Sequence, residues 1–124
     1  VGDLRNAWND LSEKYLGLRP SNDTEGVLQD MHWAGDYIGY FQSYALGNLY
    51  CGQLRERILK EIPNFEAQLR NGNFKELNAW MDEHVRQYGC CFTAGEMAER
   101  ITGKRLDARP FLNYLDEKYR GIYL

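Results

Sequence analysis

Between Phe41 and Ile62 the adjacent apolar pair Tyr44-Ala45 is followed by Leu49, Leu54, Ile58 and Ile62 every four or five positions, and then by Pro63. That spacing draws one stripe along a helix, and a proline, which lacks the N–H a further turn needs, ends it. The stretch therefore predicts a helix over 41–62. Gly47 and Gly52 lie inside it, where each costs about 1 kcal/mol relative to Ala. Such a cost suggests close approach by something, either another backbone in tight helix packing or a ligand.

The rest of the chain has the same character. Residues 3–16, "DLRNAWNDLSEKYL", place Leu4, Ala7, Trp8, Leu11, Tyr15 and Leu16 at helical spacing, with Asp3 as N-cap and Gly17 as the stop. "RPSNDTEG" is a dense turn signal, after which Asp23 or Thr24 can cap a short helix over 24–31. Helices are expected over 64–70, stopped by Asn71-Gly72, and over 74–88, stopped by Gly89. Thr93 and Glu96 have the spacing of a capping box for 94–102, closed by Gly103, and Asp107 is placed to cap a last helix carrying Phe111, Leu112, Leu115 and Tyr119. No alternating strand pattern of useful length and no repeat is present, so the fold class is all-α.

Composition narrows the function. At 124 residues, 44% apolar and 27% charged, the chain is one globular domain or a piece of one. A net charge of −3 supplies no field for a polyanion, so no nucleic-acid partner is expected. The basic cluster Arg100, Lys104, Arg105 and Arg109 is interrupted by Asp107 and reads as a solvated helix end. No apolar run approaches the roughly 18 residues of a membrane span, and no signal pattern opens the chain, which makes the cytoplasm the default. Cys51, Cys90 and Cys91 show no zinc-ligand spacing, and buried free thiols in a reducing compartment are expected.

The familiar hydrolase and nucleotide motifs are missing: no G-x-S-x-G elbow, no phosphate-binding glycine loop, no H-E-x-x-H zinc helix. Of two histidines, His84 sits in "DEHVRQ" and reads as an exposed helical residue. His32 keeps different company, with Gln29, Asp30 and Trp33 beside it and Tyr37, Tyr40 and Tyr44 following at a spacing that a helix would put on one face. A held His paired with a Tyr hydroxyl is a suitable donor set for an oxygen that gains negative charge. A satisfied buried His and core tyrosines with wet hydroxyls fit the same residues.

These residues carry a resemblance. "GVLQDMHW" (26–33) matches the G-x-x-Q-D-x-H-W motif of the M32 family of metallocarboxypeptidases, the thermostable carboxypeptidase Taq type. The likeness continues through "GYFQSYALGNLY" (39–50) and includes "DLRNAWNDLSEKYLG" before it and "FLNYLDEKY" near the end. It implies a mostly helical, gluzincin-like zinc enzyme that removes C-terminal residues from peptides. In the family, an H-E-x-x-H helix and an H-E-S-Q-like segment, both upstream of this motif, supply the metal ligands and the catalytic Glu. Neither is in this chain. The resemblance thus implies that residues 1–124 are the C-terminal part of one catalytic domain, inactive alone, with zinc or another divalent metal bound in the intact enzyme and no metal ligand here.

By the same resemblance His32 and Tyr40 are the catalytic candidates, donors to the tetrahedral oxyanion, much like the His and Tyr pairs of angiotensin-converting-enzyme-like and oligopeptidase-like relatives. Asp30 would orient His32 and Trp33 would shield it. Tyr37 and Tyr44 contact substrate or pack, and Gln29 supports the site. Gln42 departs from the family's "GYFPTY" pattern, in which Pro would alter the first turn after Tyr40. Partners implied are peptide substrates and, for the intact enzyme, a second copy in a homodimer; no membrane is implied. Apolar surface left open by the missing part invites association of the fragment. The competing reading is a non-catalytic, all-helical interaction module that keeps the motif without the chemistry.

Overall fold

The computed structural model describes residues 2–124, and among them every regular element is helical, with no strand. The chain divides into two compact units, residues 1–43 and residues 44–124. No helix among the described residues is long and apolar enough to cross a membrane.

In the first unit α1 spans Leu4–Leu16 and stops as its sequence predicts. Gly17 takes φ 70° and sends its N–H to the Glu13 carbonyl at 3.0 Å. Its start differs. Asp3 lies at φ −94°, ψ 0°, away from the extended backbone that aims a capping side chain, so its carbonyl rather than its carboxylate serves the helix, accepting from Ala7 N–H at 2.9 Å. Leu4 and Trp8 are half-buried, whereas Leu11, Tyr15 and Leu16 stay exposed.

The helix expected over 24–31 does not form. The Asp23 carbonyl accepts from both Gly26 (3.1 Å) and Leu28 (2.9 Å), and Gly26 sits at φ −107°, ψ −120°, far from helical values. Two short 3-10 helices follow instead, Val27–Gln29 and Met31–Gly35. Gly26 is needed there for space. A Cβ on it would lie 3.1 Å from the Asn22 carbonyl oxygen and 3.2 Å from Pro20 Cβ and Asn9 Oδ1.

The second unit is built from α2 (Gln42–Glu61, nearly all of it in this unit), α3 (Phe65–Arg70), α4 (Lys75–His84), α5 (Ala94–Thr102) and α6 (Arg109–Tyr123). Ile58 and Ile62 from the stripe on and after α2 meet Phe65, Trp80 and Ile101 in a buried cluster, flanked by Leu54, Leu69, Leu77, Met81, Val85 and Met97. The helix expected over 74–88 breaks. At Val85 the backbone leaves the helical region (φ −127°) as that side chain joins the cluster, and a 3-10 turn, Arg86–Tyr88, completes the stretch. The capping box is present as expected: Thr93 Oγ1 accepts the Glu96 N–H at 3.3 Å, and Glu96 Oε2 accepts the Thr93 N–H at 2.8 Å. Asp107 works one residue early, its carboxylate accepting the Arg109 N–H at 3.0 Å while Ala108 takes the cap position.

All three cysteines are exposed rather than buried. His84 is half-buried, its ring 4.6 Å from that of Trp80 and its Nε2 3.9 Å from Glu61, because it ends α4 on the side where Trp80 donates its indole N–H to the same carboxylate at 2.6 Å.

Candidate functional site

In the first unit three hydrogen bonds from His32 and Trp33 converge on Asp30. This residue stands between the two 3-10 helices, at the N-cap of the second, and only 6% of its surface is exposed. Its Oδ1 accepts the His32 backbone N–H at 3.2 Å and lies 2.8 Å from His32 Nδ1, while its Oδ2 accepts the indole N–H of Trp33. A tight turn explains why three consecutive donors converge. In a 3-10 helix the cap side chain faces the first exposed N–H groups, and the rings at positions two and three beyond it fold back toward the same carboxylate. Burial pushes the Asp30 carboxyl up, but the hydrogen bonds from the His32 ring, the Trp33 indole and the His32 backbone together hold it below the ordinary carboxylate range. Asp30 is thus an anion with its acceptor sites occupied by donors.

An anionic acceptor at Nδ1 selects the tautomer of His32. Nδ1 carries the proton given to Asp30, so Nε2 is an acceptor in the neutral ring and a donor in the imidazolium. The His32 side chain is 20% exposed. Its ring lies 5.0 Å from that of Tyr40, tilted by 46°, and 5.8 Å from Phe41, edge-on at 87°. Tyr37 stands 5.7 Å from Tyr40.

The three tyrosines do not share one helix face. Tyr37 and Tyr40 precede α2, in turns where Tyr37 N–H reaches the His32 carbonyl (3.0 Å) and Tyr40 N–H the Tyr37 carbonyl (3.2 Å). Asp36 at φ 61°, just before Tyr37, and Gly39 at φ 76°, between Tyr37 and Tyr40, break the helical path. Only Tyr44 lies on α2, and it belongs to the second unit. Gln29 is exposed and staples its own turn, its Nε2 donating to the Thr24 carbonyl at 2.5 Å. Asp30, His32, Trp33, Tyr37 and Tyr40 are therefore brought together, and Gln29 stands apart from them. Sequence reasoning missed Phe41; its position next to Tyr40 was the available signal. Gln42, the departure from the family pattern, is the first residue of α2.

Among the described residues no group of three or more His, Cys, Asp or Glu side chains is arranged to hold a metal ion. A catalytic zinc needs three protein ligands and an open position, so these residues do not fit such a metal by themselves. What the Asp30–His32–Tyr40 arrangement can do is present hydrogen-bond donors to an oxygen that becomes negative.

Residues 1–119 match the family model described as carboxypeptidase Taq (M32) metallopeptidase. The chain is 41% identical to carboxypeptidase 1 of Bacillus subtilis over 124 residues, which is all of this chain and 25% of that protein. It is 38% identical to thermostable carboxypeptidase 1 of Thermus thermophilus over 121 residues, 98% of this chain and 24% of that one. The crystal structure of the M32 carboxypeptidase from Deinococcus radiodurans R1 matches with a TM-score of 0.86 at 39% identity, covering 98% of this chain and 25% of that one. The chain spans about a quarter of the length of the relatives it matches. With the motif, the all-helical fold and a family match over nearly its whole length in agreement, the chain belongs to the carboxypeptidase Taq (M32) metallopeptidase family.

Proposed function

We propose that residues 1–124 form the C-terminal part of one M32 catalytic domain and supply a wall of its active site, where His32 and Tyr40 donate hydrogen bonds to the scissile carbonyl oxygen as a C-terminal residue is cleaved from a peptide. The observation that carries this is the Asp30–His32 contact: a buried carboxylate 2.8 Å from Nδ1 fixes which nitrogen faces away from it. The metal that family membership implies, zinc or another divalent ion, is then held by residues outside this chain.

Attack on a peptide carbonyl moves charge onto its oxygen, and donors already aimed at that position stabilise it without reorganising at the moment of reaction. For His32 to donate from Nε2 while Nδ1–H stays on Asp30, the ring carries both protons, and the neighbouring carboxylate balances that charge. The Tyr40 hydroxyl, on a ring 5.0 Å from the imidazole, is the second donor. Phe41 packs edge-on against the imidazole. Tyr37 and Tyr44 each contact substrate or pack, and the whole enzyme works as a homodimer, a reading supported by family likeness.

Tyr40→Phe in the full-length enzyme tests this. A donor used chiefly in the transition state lowers kcat by about 10²- to 10³-fold with KM little changed. A kcat within about twofold of wild type removes Tyr40 from the role.

A further inference from the structure

The aromatic wall expected of Trp33 uses only its ring, yet the structure puts its one polar atom to work: the indole N–H donates to Asp30 Oδ2 on the opposite side of the carboxylate from His32. We infer that Trp33 is a positioning residue, whose N–H fixes the plane of the Asp30 carboxylate and thereby the direction in which His32 presents Nε2. This rests on the proposed role of His32 as an oxyanion donor.

The terminal torsion of an Asp side chain is broad and roughly two-fold, so a contact at one oxygen leaves the carboxylate free to swing. Oδ1 is held by two groups of the same residue, His32 N–H at 3.2 Å and Nδ1 at 2.8 Å, which move together if the turn shifts. The indole, on the next residue of the same turn, holds the other oxygen, Oδ2. At 6% exposure Asp30 has little water to replace a lost donor, and a buried acceptor left unmade costs more than an exposed one. A Phe or Leu at position 33 would supply an apolar wall without a donor; Trp33 brings the two together.

The test compares three changes in the full-length enzyme. Benzothienylalanine at position 33 replaces the indole N–H by sulfur at nearly unchanged shape, Trp33→Phe is the genetic counterpart, and both are repeated on an Asp30→Ala background, which leaves the indole no acceptor at position 30. Loss of a partner that orients a functional His typically costs roughly 10- to 100-fold in activity. The expected result is a fall in kcat of that size for both Trp33 variants, KM within about twofold, and little further loss once Asp30 is already Ala. An unchanged kcat with the benzothienyl analogue overturns the inference, because shape alone then suffices. A loss that multiplies with that of Asp30→Ala overturns it as well, because Trp33 then acts elsewhere. His32→Asn separates the two levels: normal kcat in that variant defeats the functional reading and the inference together, whereas collapsed kcat beside an unaffected analogue defeats the inference alone.

Discussion

Gly52 on α2 and Phe111 on α6 approach so closely that a Cβ on the glycine would lie 2.7 Å from both the Cα and the Cβ of Phe111. Of the two explanations open for the glycines of this helix, close backbone packing holds at Gly52. Gly47 has nothing within 4 Å of the same added atom.

The two sites therefore respond oppositely to alanine. Gly52→Ala must push α6 away from α2, and overpacking of this kind costs typically about 1–3 kcal/mol, more than the roughly 1 kcal/mol of helix propensity it gains. Gly47→Ala keeps that gain. Urea denaturation should move the midpoint down for the first and up for the second, and a shift in the same direction at both would contradict the packing.

Gln53 is 2% exposed and ties α2 to the connection between α5 and α6. Its Nε2 faces Thr102 Oγ1 (2.9 Å) and the carbonyls of Lys104 (3.2 Å) and Arg105 (3.1 Å), while its Oε1 accepts the Asp107 N–H at 3.1 Å. Gln53→Leu leaves those groups short of a partner, at about 1–3 kcal/mol. Gln53→Glu should be worse, since it sets a carboxylate oxygen against two carbonyl oxygens. Thermal melts that rank the leucine variant below the glutamate variant would reject this network.

Asp107 gives a pH signature. The Arg109 guanidinium and then the Arg109 backbone N–H hold its carboxyl down, from the ordinary 3.8 to about 2. The unfolded chain takes up this proton first as pH falls. The stabilisation is complete above about pH 4 and is lost as pH falls through 2. Asp107→Asn should thus lower stability at neutral pH and show a flatter decline between about pH 4 and 2, with the two curves converging at the acid end. Parallel curves across that window, from melts in a pH series, would exclude the linkage.

Much of this was legible because its causes are local. The Thr93–Glu96 box, the left-handed stops at Gly17 and Gly103, and the Asp30–His32 contact each join residues a few positions apart, within the reach of one or two turns of chain. Where local signals competed, the sequence misled. Asp23 and Thr24 resemble helix caps, but the Asp23 carbonyl closes a turn on Gly26 and Leu28, and 3-10 helices replace the expected helix. Tyr37 and Tyr40 fit helical spacing, yet positive φ at Asp36 and Gly39 routes the chain differently.

From the residues alone came the helical class, the helix stops at Gly17 and Gly103 and the motif that places the chain in its family, since spacing, capping and turn chemistry act between near neighbours. Tertiary structure alone decided which glycine is packed, what Gln53 holds 54 residues away at Asp107, and which oxygen of Asp30 the Trp33 N–H takes. Those depend on which surfaces meet and on where a ring turns once the backbone is set, and no periodicity along the chain records either.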